Sequence, residues 1–185
     1  MHRNHLKRLL NNYGKKHPEE AECVGRFIRF VNAYPNCFER SLSLGHVTGS
    51  AWVVSKDQKH VLLTHHRKLD RWLQLGGHAD GNTDILSVAL REAYEESGFV
   101  KIVPITDAAF DVDIHLIPQR SKESAHHHYD VRFVFQVIGS EKFEVSDESH
   151  ALAWVPITSM NDFTDDGSLL RMREKWIGLQ NSVDE

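Results

Sequence analysis

Three carboxylates fall within one turn of a predicted helix, in the stretch REAYEESG at residues 91–98. Glu92, Glu95 and Glu96 are three and four positions apart, so their side chains share one arc of the helix. That arc lies beside the apolar arc that includes Leu86. Because like charges at these spacings repel one another, the pattern indicates either an ordinary solvated face or a site for a positive ligand.

The acidic turn has no basic compensation on its C-terminal side. The residues four positions after the glutamates are Glu96, Phe99 and Val100, where a solvated helix face would carry lysines. A hard divalent cation such as Mg²⁺ would explain the turn, because Mg²⁺ prefers oxygen ligands and binds through a few carboxylates together with substrate phosphates. The turn alone leaves both interpretations open.

The segment before this helix is rich in glycine and supplies a second indication. Its sequence is LQLGGHADGN, at residues 73–82. Flexible backbone that leads into a helix exposes N–H groups suited to an anion such as phosphate. A glycine-rich loop is more often a simple turn, but Gly76 and Gly77 also permit close approach of the backbone to a ligand. Its position next to the acidic turn favours a phosphate site that uses a metal.

These residues together resemble the signature of the Nudix hydrolases. The likeness runs from Gly77 to REAYEESGF at residues 91–99, with the family's spacing between the glycine and the arginine. The strand and turn before the glycines and the late strand at residues 151–157 are also similar. The resemblance therefore covers residues of about 46–160 and implies the α/β fold of that family.

Two positions depart from the family pattern. Thr83 stands where the family has a glutamate, and Leu75 stands where it has a proline. The missing acid usually helps to secure the loop against the motif arginine, a role that Asp80 or Asp84 could take. Neither change removes a helix glutamate, so the two departures bear on rate and substrate more than on reaction type.

The resemblance implies hydrolysis of a phosphoanhydride bond in a nucleoside diphosphate linked to another group, by attack of water on phosphorus. Glu92, Glu95 and Glu96 would hold Mg²⁺ or Mn²⁺, which bridges phosphate oxygens and lowers the pKa of a bound water. Arg91 would orient the glutamates by hydrogen bonding. One of these glutamates, or Glu148 in a later loop, would accept the proton of the water. Glu148 is equally consistent with an exposed loop acid.

Candidate substrate contacts lie on both sides of the acidic turn. Arg67 at a strand end, together with Gly76 and Gly77, could contact phosphate, although an exposed arginine and turn glycines are commonplace. The expected partner is a small nucleotide diphosphate derivative.

The chain contains 13 histidines, and three of them are consecutive at residues 126–128. On an extended segment His126, His128 and Asp130 share one face. With His78 in the glycine-rich loop and His115 in an earlier strand, they could line the pocket. Histidine binds phosphate when protonated or a transition metal when neutral, but most of the histidines are equally consistent with solvated or core positions.

The remaining patterns predict the elements that position these residues. Strands are predicted at residues 47–55, 60–66, 110–118, 128–138 and 151–157, and helices at 84–97 and 165–180. We expect a Nudix-type α/β/α sandwich with a mixed sheet at residues 41–185, preceded by an N-terminal helical extension at residues 1–40.

The N-terminal extension is predicted as a helical hairpin, with helices at residues 4–13 and from Pro18 to Tyr34. The second helix carries an apolar stripe that could pack on this chain's own sheet or form a homodimer contact. Packing within the chain is favoured, because exposed stripes of that size are unusual in monomers.

Composition excludes several classes of protein. The net charge of −4 argues against a broad DNA-binding surface. No apolar run approaches the roughly 18 residues of a membrane helix, and the N-terminal segment lacks the apolar stretch of a signal peptide. Cys23 and Cys37 form neither a disulfide framework nor a metal motif, so we expect a cytoplasmic protein with no membrane partner.

Three rival functions remain at this stage. A non-catalytic Nudix-like module that binds a nucleotide or sugar diphosphate is favoured by Thr83 and disfavoured by the intact glutamates. Isopentenyl diphosphate isomerase would need a pocket cysteine, but both cysteines precede the strands of the fold. A transcription regulator would need a DNA-binding appendage, and the tail after residue 160 holds a single predicted helix.

Overall fold

A computed structural model describes residues 2–119, 124–147 and 149–182. The helices are α1 (Asn4–Lys16), α2 (Ala21–Ala33), α3 (Ile85–Ser97) and α4 (Gly167–Asn181), with short 3₁₀ segments at Pro18–Glu20 and Ile157–Asp162. The strands are β1 (Gly45–Val54), β2 (His60–His66), β3 (Arg71–Leu73), β4 (Leu75–His78), β5 (Ile102–Pro104), β6 (Asp111–Ile117), β7 (His126–Val137) and β8 (Ser149–Pro156). The predicted α/β class and the N-terminal helix pair are therefore confirmed.

The strands form one mixed sheet built around two long central strands. β1 and β7 run parallel and stay in register over ten residue pairs, from Gly45 opposite His127 to Val54 opposite Gln136. The other pairings are antiparallel, with β2 and β4 on β1, β3 and β8 on β2, and β5 and β6 on β7. The register of β1 on β7 fixes which side chains share a face.

One face of this sheet is apolar along its whole length. Alternate residues of β1, beginning with Val47, meet the alternate residues of β7 that include Phe133, and both sets pack under α1, α2 and α3. The contact with α3 is close, because a Cβ added to Gly49 would lie 2.9 Å from the carbonyl oxygen of Ile85. A glycine at this position therefore lets the helix lie directly on the strand.

The other face changes character along the same two strands. Toward their C-terminal ends, Trp52 and Val134 pack under α4 in a second apolar cluster. Toward their N-terminal ends, the same face carries His46, Thr48 and Ser50 on β1, opposite His128, Asp130 and Arg132 on β7. This polar half forms the floor of a cleft.

The N-terminal hairpin packs on this chain's own sheet, as the pattern favoured. The apolar stripe of α2 belongs to the main core, and the ring of Phe30 stacks on Tyr129 of β7 with centroids 3.7 Å apart. Most of the stripe is therefore buried within the chain, and the homodimer contact stays a prediction. Among the described residues, no helix combines the length and apolarity needed to cross a bilayer.

A buried ion network ties α4 to the sheet. The side chain of Arg132 is 2% exposed, and it donates hydrogen bonds to Asp130 at 2.8 Å, Asp111 at 3.0 Å and Asp113 at 3.3 Å. Arg171 of α4 also binds Asp111, at 2.7 Å. Burial alone would raise the pKa of Asp111, but the bonds and charges of these arginines outweigh it and hold that pKa below its ordinary value.

The same network reaches the N-terminal hairpin around the edge strand β6. Lys175 of α4 binds Asp111 at 2.5 Å and Glu20 at 2.5 Å, and it donates to the hydroxyl group of Tyr13 at the end of α1. Helices on opposite faces of the sheet are thus joined through one lysine. The N-terminal hairpin and α4 are therefore linked by polar contacts in addition to their packing on the sheet.

The structure differs from the sequence prediction mainly in short strands. β3 lies in the predicted polar connection, β4 lies in the predicted glycine-rich loop, and β5 was not predicted. Strands of three or four residues are too short to show alternation, and β4 is recognisable only from its pairing with β1. β7 also begins at His126, two residues before the predicted start, because its parallel pairing with β1 extends into the histidine run.

Replacement of Arg132 tests the ion network. We expect Arg132→Met to lower the free energy of unfolding by about 3–5 kcal/mol, because carboxylates would remain buried with fewer partners. Urea denaturation followed by circular dichroism measures the change. Arg8→Met, at an exposed position on α1, is the control and should change stability by less than about 0.5 kcal/mol. Equal effects of the two substitutions would contradict the stabilising role of the network.

Candidate active site

A cleft of about 480 Å³ opens between α3, β4 and the polar half of the sheet. Most of the site residues expected from the sequence line it: Gly76, Gly77, His78, Arg91, Glu92, Glu95, Glu96, His126 and His128. The lining also includes residues that carry no functional signal in the sequence: Arg40, Thr48, Ser50, His66, Lys68 and Gln74. The fold therefore brings the acidic turn, the glycines and two histidines of the run to one place.

The acidic turn belongs to α3, a helix that is capped at both ends. The side chain of the N-cap residue Asp84 accepts a hydrogen bond from the backbone N–H of Ser87, and the C-cap residue Gly98 has the left-handed conformation. The glutamates are buried to different degrees: Glu96 is 6% exposed, whereas the side chain of Glu95 is 62% exposed. The turn therefore presents one inward and one outward carboxylate, with Glu92 mostly buried between them.

Backbone groups of β4 fasten these carboxylates. The N–H of Gly76 donates to Oε2 of Glu96 at 3.2 Å. Arg91 donates to the carbonyl oxygen of His78 at 2.9 Å and to Oε1 of Glu92 at 2.6 Å. The hydrogen bond with Glu92 is the main reason that the pKa of Arg91 is raised. Strand β4 and the acidic turn thus form one unit.

Gly77 allows the Glu92 side chain of α3 to lie directly against β4. A Cβ added to this residue would lie 2.5 Å from Cδ of Glu92, a distance that real Cβ contacts essentially never show. Any other residue at this position would push the carboxylate away from the strand. We expected Gly77 to allow close approach of a ligand. In the structure it allows close approach of the Glu92 side chain of α3.

The missing acid at Thr83 is not replaced by either aspartate considered from the sequence. Asp80 forms a two-pronged ion pair with Arg40, whose hydrogen bonds lower the pKa of the aspartate. Asp84 caps α3. Arg91 instead binds Glu92 and the β4 backbone, so the arginine keeps partners without a loop acid.

Asp130 on the cleft floor has its oxygens occupied by neighbouring side chains. Thr48 and Ser50 donate to Oδ1, each at 2.8 Å, and Nε of Arg132 donates to Oδ2 at 2.8 Å. The residue is 1% exposed. These contacts assign Asp130 a structural part in the floor. Nearby, Oε1 of Gln74 is buried and has no hydrogen-bond partner among the described residues.

One expected site residue among the described ones, Arg67, does not line the cleft. Arg67 is exposed and absent from the described lining, and its guanidinium donates to the carbonyl oxygen of Ser149 at 3.2 Å. The adjacent Lys68 lines the cleft. Glu148 lies outside the described residues.

The described lining carries more negative than positive groups. Its carboxylates are Asp80, Glu92, Glu95, Glu96 and Asp130. Its arginine and lysine side chains are Arg40, Lys68 and Arg91. The three glutamates supply oxygen donors on one turn, which is the donor type that Mg²⁺ and Mn²⁺ prefer, so these residues fit a hard divalent cation.

The fold has counterparts among solved structures. An Ap4A hydrolase from C. elegans, solved as a binary complex, has a TM-score of 0.59 at 16% identity, covering 74% of this chain and 98% of that chain. The E. coli dihydroneopterin triphosphate pyrophosphohydrolase has a TM-score of 0.53 at 15% identity, covering 70% and 92%. A Nudix family hydrolase from Clostridium perfringens has a TM-score of 0.51 at 24% identity, covering 72% and 97%. At these identities the likeness shows the fold alone.

Sequence comparison supplies the family. A search of curated proteins gave no match. The family model described as the NUDIX domain matches residues 45–173, which is more than half of the chain and includes β1, β4 and α3. The chain belongs to the Nudix hydrolase family.

Proposed function

We propose that this protein hydrolyses a phosphoanhydride bond in a nucleoside diphosphate linked to another group, in a reaction that requires Mg²⁺ or Mn²⁺. The observation that carries the proposal is the acidic turn of α3, which is fastened to the β4 backbone and faces an open cleft. A solvated helix face would not bury Glu96 or hold it with a backbone N–H.

The charge of the cleft supports the need for a cation. A diphosphate is an anion, and the excess of carboxylates in the lining would repel it. Glu92, Glu95 and Glu96 would hold a divalent cation, which would neutralise phosphate charge and lower the pKa of a water molecule. Such chemistry depends on charge neutralisation and positioning more than on covalent catalysis.

The protein's own groups have distinct parts in this proposal. Arg91 and the N–H of Gly76 position Glu92 and Glu96 before substrate arrives. Lys68 brings a positive charge to the cleft, where it is suited to a terminal phosphate. The proton acceptor is one of the helix glutamates or Glu148, the candidates that the sequence offers.

The substrate class is proposed from the family and the cleft. The two neighbours with named activities are called an Ap4A hydrolase and a dihydroneopterin triphosphate pyrophosphohydrolase, and both names refer to phosphorylated small molecules. A suitable screen contains diadenosine polyphosphates, nucleotide sugars, nucleoside triphosphates and a pterin triphosphate. Phosphate-containing products, measured with Mg²⁺ and with Mn²⁺, identify the substrate.

Thr83 favours a second candidate function, a module that binds such a ligand without cleaving it. The contacts of Arg91 weaken this alternative, because the arginine is held by Glu92 and by the β4 backbone without a loop acid. Binding of a screened compound with no product formed under either metal would support the module over the enzyme.

Removal of single charges from the acidic turn tests the enzyme. We expect Glu95→Gln and Glu96→Gln each to lower kcat/KM by about 10²–10³-fold, because each substitution removes an anionic oxygen from the proposed metal site while keeping side-chain size. Product formation at saturating Mg²⁺ is the measurement. Glu22→Gln, at an exposed position on α2, is the matched control and should keep wild-type activity. Full activity in both turn variants would refute the proposal.

Gly77→Ala tests the closure of β4 on the acidic turn. The added methyl group would displace Glu92, so the Mg²⁺ concentration that gives half-maximal activity should rise by about 10–100-fold. Gly178→Ala on α4, where an added Cβ meets no atom within 4 Å, should leave the Mg²⁺ dependence unchanged. An Mg²⁺ titration of Gly77→Ala that overlays the wild-type curve would show that Glu92 need not lie against the strand.

A further inference from the structure

Three histidines converge at one end of the cleft floor, on a part of the sheet that the proposed hydrolysis does not use. His46 lies on β1, His78 on β4 and His128 on β7, and each of these residues offers a ring nitrogen within 4.8 Å of the other two. The ring centroids are 4.9 Å apart for His46 and His78, 4.9 Å for His46 and His128, and 5.1 Å for His78 and His128.

This convergence requires the rings to lean together. β1 lies between β4 and β7, so His78 and His128 stand on backbones that are about 9–10 Å apart, two strand spacings. Their rings nevertheless come as close to each other as to His46 between them. Imidazoles that bind one tetrahedral zinc ion through Zn–N bonds of about 2.0–2.1 Å have ring centroids roughly 5 Å apart. The observed triangle therefore already has the size of a three-histidine metal site.

Two of the three histidines, His46 and His128, have buried ring nitrogens without a hydrogen-bond partner among the described residues. His46 is 3% exposed, and neither of its ring nitrogens has a hydrogen-bond partner within the described part of the chain. Nε2 of His128 is also buried without a partner there. A buried polar atom left unsatisfied destabilises the folded state, so this arrangement calls for a ligand.

Burial of the rings favours a metal ion over an anion as that ligand. Burial is the main cause that lowers the pKa of His46 to about 4 and that of His128 to about 2, and the neighbouring histidines lower both further. Rings buried among other imidazoles favour the uncharged form, which presents lone pairs in place of positive charge. Neutral imidazole is a poor phosphate ligand but a preferred ligand of zinc, copper, nickel and ferrous iron.

We propose that His46, His78 and His128 form a transition-metal site, of the zinc type, separate from the carboxylate turn of α3. The proposal goes beyond the hydrolase function, because magnesium and manganese at the turn need oxygen ligands and this site offers only nitrogen. His78 and His128 line the cleft, so an ion held by three histidines keeps a coordination position for water or a phosphate oxygen there.

Zinc binding by the chelator-treated full chain tests the site without any measurement of hydrolysis. Titration at pH 7.5 by calorimetry should show one Zn²⁺ per chain, and His46→Asn and His128→Asn should each weaken binding at least 100-fold. His127→Asn is the matched control, since His127 is adjacent on β7 and contacts Tyr129 on the opposite face. Glu96→Gln should also bind Zn²⁺ as the wild type does, which separates this site from the acidic turn.

X-ray absorption of the zinc-loaded wild type keeps the test independent of variant folding. It should show nitrogen ligands at about 2.0–2.1 Å with the multiple scattering of imidazole rings. Three results would overturn the proposal: no zinc bound to the wild type, an oxygen-only ligand shell, or loss of binding in His127→Asn equal to that in His128→Asn. None of these results bears on Mg²⁺-dependent hydrolysis, which depends on the glutamates.

Discussion

The in-register pairing of β1 with β7 is the constraint on which the site depends. Over ten residue pairs, this register sends one set of alternate side chains under the helices and the other set to the opposite face. A shift of one residue would bury the polar set and expose the apolar set. The buried Arg132, with three aspartates around it, marks the point where the second face changes from the apolar contact with α4 to the polar floor of the cleft.

The acidic turn gains its order from β4, a strand with two adjacent glycines. β4 offers two glycines, so α3 can lie against it, and hydrogen bonds to backbone groups of β4 hold Glu96 and Arg91. Carboxylates fixed in this way lose little further conformational entropy when a cation binds, which is the advantage of a preorganised site. The same strand carries His78, so β4 joins the carboxylate turn to the histidine cluster.

The sequence predicted the parts of the fold that have long periodic patterns and the parts of the site that lie close together along the chain. The helix with Glu92, Glu95 and Glu96 has caps at both ends, and the glycines precede it directly. The short strands β3, β4 and β5 carry too few residues for a periodic signal. Contacts between residues distant in sequence, such as Arg40 with Asp80, depend on tertiary packing and leave no local pattern.

His46 shows the same limit most clearly. Its neighbours at residues 45–47 contain no other histidine, and the run at residues 126–128 drew attention to His126 and His128 alone. Only the parallel register places His46 directly opposite His128. Neither Asp80 nor Asp84 replaces the missing acid at Thr83, because each has another partner. Asp80 binds Arg40, and Asp84 caps the N-terminus of α3.

A crystal structure with Mn²⁺ and a methylene-bridged diphosphate analogue would show whether the acidic turn binds a cation, because anomalous scattering locates Mn²⁺. We expect an Mn²⁺ ion within about 2.0–2.3 Å of carboxylate oxygens of the acidic turn, in contact with the analogue. Carboxylates bonded only to Arg91 and the Gly76 backbone, with the analogue bound elsewhere or no ion at the turn, would contradict this expectation.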